Sequence, residues 1–266
     1  MTALVAMALA LFTVFFVPAW PAAAAGILVA WGCGVEHASF YGRDWRNAPL
    51  LGAATVGLAF ALVMTRPESS LLIAGLGVAT AVGAWMAARL DRDNVARWKM
   101  ELASLWYGAP IAALLYLREI SIPDTAKWFF FVSPLLLALV PVWAGDTAAI
   151  VVGKALGRRP LAPEISPKKT LEGAAGNLVA AALIGIPIAM WVGVPPSLGL
   201  VCGALCGVLG QAGDLFESWI KRRAGVKDSG SILPGHGGLL DRIDSMLFST
   251  PPVVLAILLW PGHISS

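Results

Sequence analysis

Ser218-Trp219-Ile220-Lys221-Arg222-Arg223-Ala224-Gly225-Val226-Lys227-Asp228-Ser229-Gly230-Ser231-Ile232-Leu233-Pro234-Gly235-His236-Gly237-Gly238-Leu239-Leu240-Asp241-Arg242-Ile243-Asp244 is the densest polar stretch of an otherwise apolar chain. It brings together the cations Lys221, Arg222, Arg223, Lys227 and Arg242, the carboxylates Asp228, Asp241 and Asp244, and a flexible Gly235-His236-Gly237-Gly238 turn. That mixture suits the gathering of phosphates and a divalent metal. Segments apolar enough to span a bilayer flank it on both sides, so the chemistry it implies is phosphate chemistry at a membrane surface.

Working outward, 58% of the 266 residues are hydrophobic and 13% are charged. Soluble domains carry about a quarter charged residues, which marks this chain as an integral membrane protein. A helix needs about 20 apolar residues to cross the hydrocarbon core, somewhat fewer if its ends snorkel. Apolar runs cover Thr2–Val17, Pro21–Val35, Ala48–Met64, Leu71–Ala88, Ser104–Leu117, Trp128–Ala144, Ala174–Val194, Ser197–Ile220 and Ser245–Trp260. The expected fold is therefore all-α and polytopic, with about nine transmembrane helices and a cytoplasm-facing polar pocket in the C-terminal half. Ser104–Leu117 is the weakest of the nine, being short and containing Pro110.

If all nine runs span, the loops after even-numbered spans hold sixteen of the nineteen Lys and Arg residues. The positive-inside rule places that side in the cytoplasm. These cations sit in short loops with no extramembrane domain to present them, so no nucleic-acid partner is expected. A cleaved leader is not expected either, because no basic residue precedes Arg43. Cys33, Cys202 and Cys206 lie within apolar runs and read as buried thiols, with no disulfide framework or metal spacing.

Residues 1–127 read as a transmembrane scaffold and 128–266 as the catalytic region of one integral membrane unit. In the latter, polar residues intrude beside apolar helices in three places. Gly145-Asp146-Thr147 closes the sixth run and leads to Ser166-Pro167-Lys168-Lys169-Thr170-Leu171-Glu172-Gly173, where Lys168 and Lys169 form a phosphate-gripping lip and Thr170 opens the seventh span. Gly213-Asp214 lies inside the eighth run, seven residues and so about 10 Å below Lys221 at a helical rise of 1.5 Å. A carboxylate at that depth is costly unless compensated, and a bound cation is the simplest compensation. Ser218 shares its face, while Gly210 and Gly213 let another backbone or a ligand approach. The third place is the stretch quoted above. Asp241 and Asp244, three apart at the start of the last helix, suit Mg²⁺, which takes one or two carboxylates with waters and phosphates.

The quoted stretch resembles the signature of phosphatidate cytidylyltransferases, also called CDP-diacylglycerol synthases. The likeness runs from Ser218 through Lys221-Arg222, Lys227-Asp228 and Pro234-x-His236-Gly237-Gly238 to Asp241-Arg242-x-Asp244. Gly145-Asp146-Thr147 and Ser166–Gly173 look like upstream elements of the same family, and the likeness is strong from about Trp143 to Asp244. It implies cytidylyl transfer from CTP to phosphatidate, with Mg²⁺ on Asp214 and Asp241, a second monovalent cation such as K⁺, and a homodimer. Asp214, Asp241, Lys168 and His236 are the expected catalytic residues. Lys169, Ser218, Lys221, Arg222, Lys227 and Arg242 are expected to bind substrate, with Asp244 and Asp146 completing the metal set. A bacterial inner membrane with the site facing the cytoplasm is the expected location. The alternatives are a lipid-alcohol kinase and, from another class, an ion-coupled transporter using Asp146 and Asp214. A CDP-alcohol phosphotransferase would need Asp-Gly-x-x-Ala-Arg, which is absent.

Overall fold

The computed structural model describes residues 18–44, 46, 48–65, 70–90, 95–119, 133–230 and 237–260. The chain divides into two compact units, Met1–Glu119 with Ile220–Ile243 and Ile120–Trp219 with Asp244–Ser266.

In the first unit lie α1 (Ala19–Ser39), α2 (Leu51–Thr65), α3 (Ser70–Ala88), α4 (Arg97–Ala103) and α5 (Leu105–Glu119). Their packing is governed by glycines. A side chain added at Gly52 would strike the Ser104 carbonyl at the start of α5, one at Gly108 would strike the Gly52 backbone on α2, and one at Gly83 would strike Leu105 and Trp106. Apolar helices gain little from one another hydrophobically in lipid, so such close backbone approach supplies the dispersion contacts that hold them. His37, Trp106 and Tyr107, all fully buried, meet edge to face at the centre of this unit. α4 lengthens the short fifth run, so Arg97–Glu119 reaches 23 residues despite Pro110.

The second unit holds α6 (Leu136–Leu156), an antiparallel hairpin of β1 (Pro160–Ala162) and β2 (Ser166–Thr170), α7 (Leu171–Val192), and most of α8 (Pro196–Arg223) and α9 (Leu240–Leu259). Thr170 caps α7 by accepting the Gly173 N–H at 3.1 Å, which satisfies an orphan amide of the first turn. Gly193, in the left-handed region at φ 85°, closes the same helix. α7 and α8 then cross on small residues. Gly185 faces Gly199, and Gly203 faces the Ala181 backbone with no room for a Cβ.

Six helices among the described residues are long and apolar enough to cross a membrane, and Leu51–Met64 and Leu72–Ala88 are shorter apolar helices. Eight of the nine apolar runs thus have a helix, while Thr2–Val17 lies outside the described residues. Leu58, Val78, Ile150, Leu183 and Met190 point outward, as side chains facing lipid would. Two readings need revision. Gly145-Asp146-Thr147 sits in the middle of α6 rather than at its end, where Thr147 Oγ1 satisfies itself on the Trp143 carbonyl at 2.8 Å and the helix runs on. The fold is nearly all-α, because the loop expected after α6 forms a small hairpin.

Gly203→Leu should overpack the α7–α8 crossing and cost about 1–3 kcal/mol. Thermal unfolding of the purified protein in detergent would register this as a lowered midpoint, and an unchanged midpoint would contradict the packing described.

Candidate active site

Asp214 and Asp146 are two carboxylates within electrostatic reach of each other in the second unit, and Lys169 lies close to both. Lys169 Nζ forms an ion pair with Asp214, and Ser218 Oγ donates to Asp214 Oδ1 at 3.4 Å. Helical geometry accounts for the second contact, since residues four apart share a face. The β1–β2 hairpin accounts for the first, because it carries Lys169 on β2 immediately before the capped start of α7. On α7, the buried Asn177 donates its amide to Asp146 Oδ1 at 3.2 Å, with the Ser245 hydroxyl also beside that carboxylate. Gly145 is the reason Asn177 fits, since an added Cβ would lie 2.7 Å from its Oδ1.

Glycines serve Asp214 in the manner the sequence implied. A Cβ at Gly213 would lie 2.5 Å from the Asp244 carbonyl, and one at Gly210 would lie 3.3 Å from the Ser245 carbonyl. The start of this part of α9 therefore runs close along α8 beside Asp214. Asp244 itself accepts from the Ser245 amide at 2.6 Å.

In the first unit, Asp241 occupies the first turn of α9 with both carboxylate oxygens engaged. Oδ1 accepts from Lys221 Nζ at 2.5 Å, and Oδ2 accepts from the backbone amides of Ser229 at 2.9 Å and Gly238 at 2.8 Å. Both side chains are mostly buried, so the pair is a charge-assisted clamp and not a solvated surface bridge. Gly237, at φ +79°, turns the chain where a Cβ would press on Asp241 Oδ2.

Of the remaining expected residues, Lys168, Arg222, Lys227 and Arg242 are exposed, and Arg222 also reaches the Val226 carbonyl at 3.2 Å. His236 lies outside the described residues. Asp146, Lys169, Asp214 and Ser218 are thus brought together in one unit, and Lys221 and Asp241 in the other. Among the described residues, no three His, Cys, Asp or Glu side chains stand together in a metal-holding group. The oxygen chemistry of Asp146 and Asp214 nevertheless fits a hard divalent cation, which needs no more than one or two protein carboxylates. Two close carboxylates sharing a single lysine retain a demand for positive charge.

Asn177, Ser229 and Glu36 also belong to these clusters, though no motif in the sequence marks them. Glu36 is 3% exposed, and its carboxylate accepts from Ser229 Oγ at 3.0 Å and from the amides of Leu239 and Leu240 at 2.7 and 2.9 Å. The available signal was one acid near the end of the apolar Pro21–Val35 run.

The model of the cytidylyltransferase family matches residues 1–260. The chain belongs to that family. Over 119 residues it is 48% identical to the phosphatidate cytidylyltransferase of Bacillus subtilis (strain 168), a stretch covering 44% of each chain. It is 43% identical over 145 residues, 53% of each chain, to the enzyme of that name from Brucella suis biovar 1. For the one from Synechocystis sp. the identity is 44% over 126 residues, 47% of this chain and 43% of the relative. The chain thus spans about half the length of the curated relatives it matches. In this cytidylyltransferase-family chain, the long stretch of apolar helices is covered by the family match as fully as the polar clusters are.

Removing the Lys169 charge leaves the partly buried Asp214 carboxylate without its cation. Lys169→Met should therefore destabilise the protein by about 1–3 kcal/mol, with Lys169→Arg close to wild type. Midpoints of thermal unfolding in detergent decide this, and a wild-type midpoint for Lys169→Met would remove the ion pair from the account.

Proposed function

We propose that this protein transfers the cytidylyl group of CTP to phosphatidate, yielding CDP-diacylglycerol and pyrophosphate. The observation that carries the reading is the ion pair between Lys221 and Asp241, which joins the two described ends of the signature stretch. The two are locked together beside exposed Arg222, Lys227 and Arg242, in a chain of the cytidylyltransferase family. Relatives bearing the name phosphatidate cytidylyltransferase support the choice of substrates.

Two polyanions repel, so the first task of the site is to offset their charge. Lys168, Arg222, Lys227 and Arg242 are exposed and would offer positive charge to phosphates arriving from water, with Lys169 and Lys221 adding theirs from less exposed positions. An oxygen of the lipid phosphate attacks the α-phosphorus of CTP, forming the new phosphoanhydride bond. The bond to the β-phosphate breaks, and pyrophosphate leaves with its electron pair. The attacking phosphate is already an anion near neutral pH, so no general base is required, and positioning with electrostatics can account for most of the rate. His236 would donate a hydrogen bond to the departing phosphate.

Asp214 and Asp146 are the carboxylates whose arrangement favours Mg²⁺, and Asp241 and Asp244 are proposed as ligands on the sequence pattern. Bound Mg²⁺ would screen the triphosphate and stabilise charge developing at the α-phosphorus. A monovalent cation such as K⁺, a homodimeric state and an inner-membrane location with the site facing the cytoplasm belong to the same proposal.

Membranes containing the protein, incubated with phosphatidate, Mg²⁺ and CTP radiolabelled at the α-phosphate, should move label into the lipid phase. Asp214→Asn and Asp241→Asn should each cut that transfer by at least about a hundredfold while the protein still inserts. Near-normal transfer in either variant would strip that residue of its assigned role, and no label in lipid with the wild type would refute the function.

A further inference from the structure

The carboxylate of Glu36 belongs to none of the clusters so far given a chemical role. It lies on α1, about two hundred residues away in sequence from the groups it touches, and it is almost completely buried. A buried charge without compensation costs several kcal/mol. Among the described residues, the signature stretch compensates Glu36 with hydrogen-bond donors. Oε1 takes the Leu239 amide, and Oε2 takes the Leu240 amide and the Ser229 hydroxyl. The two amides belong to the beginning of α9, whose dipole also favours a negative charge there.

These contacts continue to Asp241. Ser229 Oγ, having donated to Glu36, accepts the Asp241 amide at 3.3 Å, and the Ser229 amide returns to Asp241 Oδ2 at 2.9 Å. A single serine therefore ties the Glu36 carboxylate to the Asp241 backbone and side chain. The glycines on either side are shaped to this carboxylate. A Cβ at Gly230 would lie 2.7 Å from Glu36 Oε1, and one at Gly238 would lie 2.5 Å from Oε2. Two glycines of the signature stretch are thus the walls of a slot that Glu36 fills.

We propose that Glu36 is a positioning residue: it clasps Ser229 and the start of α9 and so fixes the Asp241 carboxylate in the orientation the reaction uses. The proposal rests on the cytidylyl-transfer reading above for its kinetic consequence, but the clasp itself has a consequence independent of turnover. Lys227 is exposed two residues before Ser229, so tryptic cleavage after Lys227 reports whether the segment is held.

The test compares wild type, Glu36→Gln, Glu36→Asp and Ser229→Ala as full-length protein in detergent, each by two readouts. One is the rate of cleavage after Lys227 under native conditions, and the other is the kcat and KM of label transfer. Glu36→Gln and Ser229→Ala should raise the cleavage rate several-fold. They should also lower kcat by about tenfold or more, with KM for the lipid changed less than about twofold, as expected when a reacting group is misplaced and not deleted. Glu36→Asp, which keeps the charge, should fall between them and wild type in both readouts. Cleavage that rises with kcat unchanged would make Glu36 a structural residue only, and kcat that falls with cleavage unchanged would give it a direct role; either result overturns the proposal. A wild type that transfers no label sinks the reaction, and the cleavage comparison then decides the clasp alone. Ser229→Ala keeps the proposal open to refutation if the Glu36 variants do not fold.

Discussion

A carboxylate packed among apolar helices must find a positive charge or enough donors, and the polar architecture of this protein follows from that requirement. Three acids meet it in three ways. Asp214 takes a lysine delivered by a hairpin, Asp241 takes a lysine and two amides, and Glu36 takes a helix start and a serine. In a low-dielectric setting each charge-assisted bond is strong, and each broken one is expensive. The acids therefore act as fixed points to which the hairpin and the start of α9 are fastened.

Glycine is the complement of those fixed points. Gly145 admits Asn177, Gly213 admits the backbone at Asp244, and Gly230 and Gly238 admit Glu36. Elsewhere the same residue sets helix crossings, at Gly52 against α5 and at Gly203 against Ala181. One residue type does both because both need the same thing, a backbone that can be approached closely. Every described acid of the candidate site has a named donor at hand.

Much of this was legible in the residues. Composition and nine apolar runs announced a helical membrane protein, and the spacing around Asp214 and Asp241 singled out the polar clusters. The glycines beside Asp214 were read correctly as sites of close backbone approach. Long-range pairing was not legible, because nothing local tells Lys169 to reach Asp214 or Lys221 to reach Asp241 across twenty residues. The extent of α6 was misjudged because Gly145-Asp146-Thr147 looks like a helix end, whereas Thr147 bonds back to its own helix. Glu36 escaped notice because its partners are mostly backbone amides, which carry no sequence signature.

The most direct test of the central claim is a double-mutant cycle on Lys221 and Asp241, using Lys221→Met, Asp241→Asn and both together, read by reversible unfolding in detergent. If the buried acid is held by its lysine, the double variant should be less destabilised than the sum of the singles, with a coupling of about 0.5–3 kcal/mol. Additive effects would contradict the account, since they would mean that the two charges, though in contact, do not depend on each other.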